Sequence, residues 1–248
     1  MPDKPQNVNT KNCDFYGIDG CRAGWFFIGI GTDGNYQFGV LDAFSDISLF
    51  RDRAKLILVD IPIGLISSGT PGRLCDIAAR KLIKPRGSSV FPAPSRPALG
   101  ASTYAQGCEA NYLAVGRKLS KQTWGIVPKI QQVDEYLGAA TGQGKIREMH
   151  PEVAFWAFNG QSSLTHGKKK AAGSEERLNV LSRLFPQAED CYEEALNTYR
   201  RKDVARDDIL DAMVGAVTAI QYPNIKTLPS YPLVDETGLA MEIVYAEG

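Results

Sequence analysis

The chain has 248 residues, of which 44% are hydrophobic and 23% are charged, as is ordinary for a globular protein. Its apolar runs are too short to cross a membrane, and its polar N-terminus lacks the apolar segment of a secretory signal, so a cytoplasmic location is expected. The five cysteines form no close pair, which argues against a disulfide framework or a structural zinc site.

The zero net charge hides an uneven distribution along the chain. The segment from Arg73 to Val133 contains ten basic residues and two acidic residues, a local net charge of +8. This excess predicts a basic lobe that contacts a polyanion, either a nucleic acid or another phosphate-containing substrate. A solvated surface without a ligand explains the same pattern, and both interpretations stay open here.

Residues 1–14 are expected to form a flexible lead-in, and residues 15–248 a single domain. Apolar runs at 15–19, 25–30 and 36–41, joined by short turns, predict an antiparallel meander of three strands. A short helix follows near Ser45. The uninterrupted apolar run at 55–61 then predicts a central strand that is covered on both faces.

A helical insertion is expected at about 66–143. Its helical patterns lie at about 72–84, 105–119 and 128–141, and a proline-rich loop occupies 88–97. In the first of these helices, the spacing predicts an apolar face that points inward and a charged face that points outward. The predicted inward residues are Leu74, Ile77, Ala78 and Leu82, and the predicted outward residues are Arg73, Asp76, Arg80 and Lys84.

The chain is expected to return to the sheet in a strand near 145–149. Ser174 has the spacing of a capping box at a helix start, and further helices are predicted at about 188–201 and 207–220, before a terminal hairpin or edge strand over 232–245. The element order predicts an α/β protein with a mixed five-stranded sheet, helices on both faces and a helical insertion after strand 4. That is the layout of the ribonuclease H-like fold.

Carboxylates stand where several of these elements end or begin. Asp19 and Asp60 close predicted strands, Glu148 lies in the fifth strand, and Asp208 and Asp211 lie in the first turns of the last helix. Burying an unpaired carboxylate costs several kcal/mol, roughly, so their convergence would require a cation between them. Carboxylate oxygens are the ligands that Mg²⁺ or Mn²⁺ prefers.

The motifs that carry these residues resemble those of the DUF429 family, over nearly the whole chain. They are Gly17–Trp25 (GIDGCRAGW), Val59–Leu65 (VDIPIGL), Arg73-x-x-Asp76-x-x-x-Arg80, Ser89–Pro94 (SVFPAP), Glu148-x-His150-Pro151-Glu152 and Asp207-Asp208-x-x-Asp211-Ala212. Members of that family are described as predicted nucleases of the ribonuclease H-like fold. The resemblance implies that Asp19 is the metal-bridging aspartate of the first strand, that Asp60 is the acid after the fourth, and that Asp208 and Asp211 are acids of the final helix.

The expected reaction is two-metal-assisted hydrolysis of a phosphodiester, with the two ions about 4 Å apart. The predicted metal ligands are Asp19, Asp60 and Asp208, and Glu148 and Asp211 complete the predicted catalytic set. The residues expected to contact the substrate are Arg22, Arg73, Arg80 and Ser89.

Several alternatives fit the same residues. Asp19 is also a plausible turn residue and Asp60 a strand-end cap, while Asp207 is expected to be a helix N-cap. A catalytically silent module that binds nucleic acid or nucleotide would keep the carboxylates for the fold alone. A phosphotransferase of the actin superfamily shares this type of sheet, but it normally needs two such domains. The oligomeric state is left open, a homodimer included.

Overall fold

The structure is a computed structural model that describes residues 13–69, 72–139 and 144–248. Most of the predicted lead-in, residues 1–12, lies outside these ranges. Cys13 and Asp14 belong to the fold: Cys13 is buried, and the Asp14 backbone N–H donates to the Ile30 carbonyl at 3.1 Å. The predicted lead-in therefore extended two residues too far.

The central element is a mixed sheet of five strands. These are β1 (Phe15–Cys21), β2 (Gly24–Ile30), β3 (Tyr36–Leu41), β4 (Leu56–Val59) and β5 (Ile146–Glu148). Their order is β3-β2-β1-β4-β5; the β1–β2 and β2–β3 pairs are antiparallel, and the β1–β4 and β4–β5 pairs are parallel. The predicted mixed five-stranded sheet is confirmed.

Eight α-helices lie within the described ranges. They are α1 (Ser48–Arg51), α2 (Leu74–Leu82), α3 (Tyr104–Val115), α4 (Lys121–Ala139), α5 (Pro151–Phe158), α6 (Ala171–Ser182), α7 (Ala188–Thr198) and α8 (Arg206–Ile220). Helices α2, α3 and α4 form the expected insertion after β4. A search of the described residues found no helix that combines the length and the apolar character needed to cross a bilayer.

A separate hairpin closes the chain, formed by β6 (Lys226–Val234) and β7 (Ala240–Tyr245). It begins six residues before the predicted 232, because the first strand is mostly exposed and lacks a clear apolar pattern. The hairpin reaches the main sheet through one parallel bridge between Met149 and Val244.

Helices cover both faces of the sheet, as predicted. On one face, Leu58 of β4 packs in a cluster with Leu210 and Met213 of α8. On the other face, Ile57 packs with Ile130 and Val133 of α4. Successive strand residues therefore point alternately toward α8 and toward α4, as the period of a β-strand requires.

Two glycines allow α8 to lie directly on the backbone of β1. A Cβ atom added to Gly17 would lie 2.0 Å from the Ala212 carbonyl oxygen and 2.2 Å from the Ala216 nitrogen. From the helix side, a Cβ on Gly215 would lie 3.0 Å from the Gly17 Cα atom. These contacts involve backbone atoms, which cannot move aside as a flexible side chain can.

Helix α4 begins at Lys121, seven residues before the predicted 128, and runs through Pro128. Its start is capped by the Ser120 hydroxyl, which accepts from the Thr123 N–H at 3.0 Å. An interior proline costs about 3 kcal/mol, and the burial of Val127 and Ile130 against the sheet offsets this cost.

Two further helix predictions need correction. Helix α6 starts at Ala171, so Ser174 lies inside it, and the predicted capping-box residue Glu176 instead accepts from the backbone N–H groups of Thr165 and His166. Helix α5 was not predicted, because nearly all of its residues are buried and no amphipathic period marks it.

We predict that Gly17→Ala destabilises the protein by about 3 kcal/mol or more, because the added methyl group overlaps the backbone of α8. Urea unfolding monitored by circular dichroism measures the change. The matched control is Gly125→Ala in α4, where a Cβ meets nothing within 4 Å. That control should be neutral or stabilising by up to about 1 kcal/mol. Equal effects of the two substitutions would contradict the close approach of α8.

Candidate metal centre

The alternation of side chains along β1 and β4 places two aspartates on the same face of the sheet. On β1, Phe15 packs on the α8 side and Tyr16 on the α4 side, so Asp19 points toward α8. Asp60 follows Val59, which packs on the α4 side, and therefore also points toward α8. The two strands pair in parallel, and the Asp60 N–H donates to the Ile18 carbonyl at 2.9 Å. Asp19 and Asp60 are thus neighbours across the sheet.

Helix α8 supplies the third carboxylate. Asp211 lies in its second turn, one residue before Ala212, whose carbonyl packs on Gly17. One carboxylate oxygen from each of Asp19, Asp60 and Asp211 lies within 4.8 Å of the other two. Three segments that are distant in sequence therefore bring their carboxylates to one point.

Burial raises the pKa of all three carboxyl groups, and repulsion from neighbouring carboxylates adds to it at Asp19 and Asp60. Asp19 and Asp211 are buried, and Asp60 is partly buried. Burial, reinforced by Asp211, raises the pKa of Asp60 to about 8. Burial and then the charges of Asp60 and Asp211 raise the pKa of Asp19 well above its ordinary value, and burial also raises the pKa of Asp211. Burial therefore opposes the ionised form of each of these three carboxyl groups.

Lys168 is a functional candidate that the sequence reading missed. It lies in the loop before α6, and its Nζ atom donates to Asp211 Oδ2 at 2.7 Å and lies 3.7 Å from Asp207 Oδ2. Asp211 raises the pKa of Lys168, so the lysine stays charged. The sequence signal that marks this lysine is the run of three lysines after Gly167.

Asp208, a predicted metal ligand, lies outside the group of three. Its Oδ2 accepts from the Ala205 backbone N–H at 2.8 Å, so the carboxylate caps the start of α8. The residue at the N-cap is Ala205, which corrects the expectation for Asp207. Burial raises the pKa of Asp208 to about 6, and its charge still acts on Asp19 and Asp60. The helix acid that joins the two strand aspartates is Asp211.

Glu148 points to the opposite face of the sheet from Asp19 and Asp60. It pairs in register with Val59, whose side chain packs on the α4 side. Its two oxygens accept from the Arg73 guanidinium at 2.7 Å each, and Oε2 also accepts from the Ile63 N–H at 2.7 Å. The prediction that Glu148 joins the catalytic carboxylates is corrected by this register.

Arg73 was predicted to contact substrate phosphate, and the structure gives it an internal role instead. It is buried, and its guanidinium donates to Asp76, to Glu148 and to the carbonyl oxygens of Ile63 and Gly64. These acceptors occupy all its N–H groups. No donor is left for a phosphate.

The same network changes which residues face inward at the start of α2, whereas Leu82 packs inward and Arg80 and Lys84 are exposed, as predicted. Leu74 and Ile77, which were predicted to face inward, are 49% and 51% exposed, whereas Cys75, Asp76 and Ala79 are buried. Asp76 faces inward because it pairs with Arg73 and accepts from the Ala93 N–H at 3.2 Å. A buried ion pair therefore overrides the apolar stripe of the helix.

The other predicted substrate residues lie at or near the surface. Arg22 is exposed in the turn after β1, near the edge that carries Asp19. Arg80 is exposed and donates to the Val90 carbonyl at 2.6 Å, and the Ser89 hydroxyl donates to the Arg86 carbonyl at 2.8 Å. Their contact with substrate stays a prediction.

The predicted basic lobe is partly neutralised within the fold. Besides Arg73, Arg96 pairs with Asp134 at 2.6 Å and also with Asp235. Lys129 reaches back toward the sheet, where its Nζ atom lies 4.5 Å from the centre of the Trp25 ring. The local net charge of +8 therefore overstates the number of basic side chains in this segment that are free to contact a ligand.

A family model described as a protein of unknown function, DUF429, matches residues 17–232. The chain belongs to the DUF429 family. Searches of the curated proteins and of the solved structures found no match. The family match covers Asp19, Asp60, Lys168 and Asp211, so the whole carboxylate group lies inside the region that defines this DUF429 protein.

We predict that Asp60→Asn stabilises the DUF429 protein at pH 8 in the presence of a chelator. An unfolded aspartate has a pKa of about 3.9, and Asp60 has a folded pKa of about 8. Between these values the folded state holds a proton that the unfolded state releases, so this group lowers the free energy of unfolding as the pH rises. Thermal melts should show the largest gain at pH 8 and almost none near pH 4.

The control for that series is Asp52→Asn, which changes an exposed aspartate at the end of α1. It should leave the pH dependence of the melting temperature unchanged. A lower melting temperature for Asp60→Asn at pH 8 in chelator would show that the carboxylate stabilises the metal-free fold, contrary to this account.

We also predict that Arg73→Met destabilises the protein by about 3–5 kcal/mol, since it leaves Glu148 and Asp76 buried without their cation. Arg22→Met, at an exposed position, should change stability by less than about 0.5 kcal/mol. Urea unfolding compares the two. If Arg73→Met folds as stably as the parent and loses only oligonucleotide affinity, the original phosphate-contact prediction is right.

Proposed function

We propose that this protein is a metal-dependent nuclease of the ribonuclease H-like fold that hydrolyses phosphodiester bonds. The observation that carries the proposal is the group of three carboxylate oxygens within 4.8 Å, contributed by β1, by the residue after β4 and by α8. These are the positions that the resemblance assigns to the metal-binding acids of such nucleases.

The topology supports the proposed fold family. The order β3-β2-β1-β4-β5, an antiparallel meander that continues into parallel strands, is the layout expected of a ribonuclease H-like sheet. The carboxylates lie where the parallel strands β1 and β4 end, and the last helix before the terminal hairpin packs over them.

The donor set fits Mg²⁺ or Mn²⁺. Three carboxylates present hard oxygen atoms, and no histidine or cysteine of the described residues belongs to the group. Burial is the largest cause of the raised pKa of each carboxyl group, and for Asp19 and Asp60 the neighbouring carboxylates add to it. When bound there, such an ion would activate water and stabilise the leaving oxygen.

The residues of the chain have separable tasks in this proposal. Asp19, Asp60 and Asp211 would hold the ion. Asp208 caps α8 and so fixes the turn that carries Asp211, which makes it a positioning residue. Lys168 favours the ionised form of Asp211 through its 2.7 Å contact, in opposition to the burial that raises the pKa of this carboxyl group.

The test is cleavage of a panel of DNA and RNA substrates in the presence of Mn²⁺. We expect Asp19→Asn to abolish cleavage, because it removes one of the three ligands, and to leave the melting temperature unchanged or raised. Asp52→Asn is the matched control and should retain full activity.

Calorimetric titration with Mn²⁺ accompanies the assay. Binding in the parent protein that is lost in Asp19→Asn supports the proposed centre. Cleavage that persists in Asp19→Asn would refute the proposal, and metal binding without cleavage of any substrate would favour the silent binding module.

A further inference from the structure

A cavity beside the carboxylate group is lined by five basic side chains. They are Lys168, Lys169 and Lys170 from the loop before α6, Arg201 from the segment after α7, and Arg206 from the first turn of α8. Asp207 is the acidic residue in the lining, so the formal charge of the cavity wall is +4. We call these six residues the basic pocket.

Most of these cations have no internal partner. Lys169, Lys170, Arg201 and Arg206 are exposed, and none of them forms an ion pair with another described residue. Arg96 and Arg147, by contrast, each pair with carboxylates of the fold. Cations that converge on one cavity without such pairing repel one another and raise the local potential for an anion.

The basic pocket adjoins the carboxylate group through Lys168. This lysine lines the pocket, and its Nζ atom also contacts Asp211 at 2.7 Å. The first residues of α6 and α8 add the positive ends of two helix dipoles to the same cavity. The pocket therefore attracts anions at the edge of the site where the carboxylates would hold a cation.

The distance between the basic pocket and the carboxylate group suits a nucleic acid strand that contacts both. Arg206 precedes Asp211 by five residues on α8, which corresponds to about 7.5 Å along the helix axis. Nucleotides of B-form DNA rise about 3.4 Å each along one strand. The pocket thus lies about two nucleotide steps from the carboxylates.

We propose that the basic pocket binds a phosphate group of the substrate strand that lies about two nucleotides from the one that is cleaved. This rests on the proposed nuclease function and deepens it, because it places the substrate strand along the start of α8 rather than on the predicted lobe at 73–133. The ligand is recognised by its phosphates, whether they belong to a nucleic acid strand or to a free nucleotide.

The experiment compares the parent with the double variant Lys169→Ala and Arg206→Ala in a buffer with chelator, where no cleavage can interfere. Fluorescence anisotropy measures binding of a short labelled DNA and a short labelled RNA over a series of salt concentrations. The slope of log affinity against log salt changes by about 0.7 to 0.9 for each phosphate that is neutralised, so loss of the one phosphate in the pocket should make the slope of the double variant shallower by about that amount. The matched control, Arg53→Ala with Arg183→Ala, removes two exposed arginines outside the pocket and should keep the parent slope.

Competition separates the two sources of phosphate. A mononucleotide that displaces the oligonucleotide from the parent but not from the double variant identifies a nucleotide site. Displacement by unlabelled oligonucleotide alone identifies a strand site, and both results support a phosphate in the pocket. An unchanged slope in the double variant, an equal loss in the control, or no binding of any probe to the parent overturns the inference.

Titration with Mn²⁺ keeps this inference distinct from the proposed function. The double variant should bind Mn²⁺ as the parent does, since neither residue belongs to the carboxylate group. Loss of Mn²⁺ binding in that variant would show that the substitutions damage the metal centre and would overturn the pocket as a separate site. If Asp19→Asn cleaves normally, the nuclease proposal fails, while the slope measurement still decides the pocket.

Discussion

The candidate site depends on the contact between α8 and the backbone of β1 at Gly17. Strands β1 and β4 hold Asp19 and Asp60 side by side through their parallel pairing, whereas Asp211 comes from another layer of the protein. Its distance from the two strand aspartates depends on how closely the helix approaches the sheet. Metal sites tolerate ligand shifts of about 0.2 Å, which is far smaller than the displacement that a methyl group at Gly17 would force. The glycine is therefore a requirement of the site as well as of the fold.

The buried carboxylates are fully paired on one face of the sheet and incompletely paired on the other. On the α4 side, two carboxylates, Glu148 and Asp76, surround one arginine whose donors are all used, and the result is a closed network that anchors the insertion. On the α8 side, three carboxylates share one partly exposed lysine, and the pKa of each carboxyl group is raised. The first arrangement is complete within the chain. The second has carboxylate oxygens in excess, as expected of a site that receives a cation.

The sequence pattern predicts the strands that carry the candidate site, but it does not predict every side-chain position. The strand period combined with the register of β1 and β4 places Asp19 and Asp60 on one face, and the register of β5 places Glu148 on the other. The register itself is a tertiary property, so the sequence could not supply it. The exposure of Leu74 and Ile77 at the start of α2 was equally unpredictable, because their apolar spacing is a local signal and the Arg73 network is not. Lys168 was missed because its loop has no periodic pattern, and only the folded chain brings it to Asp211.

The pKa shifts connect the stability of the protein to its proposed chemistry. A carboxyl group whose pKa is raised to about 8 lowers the stability of the metal-free fold at neutral pH, and a bound cation would reverse this by favouring the ionised form. Cation binding would then release protons and strengthen as the pH rises. The Asp60 carboxylate, which would help to hold the ion, is therefore expected to make the metal-free protein less stable than the Asp60→Asn variant at pH 8. Residues that lower the stability of a fold are expected at functional sites. In this protein the three aspartates lie together, at the ends of β1 and β4 and on α8.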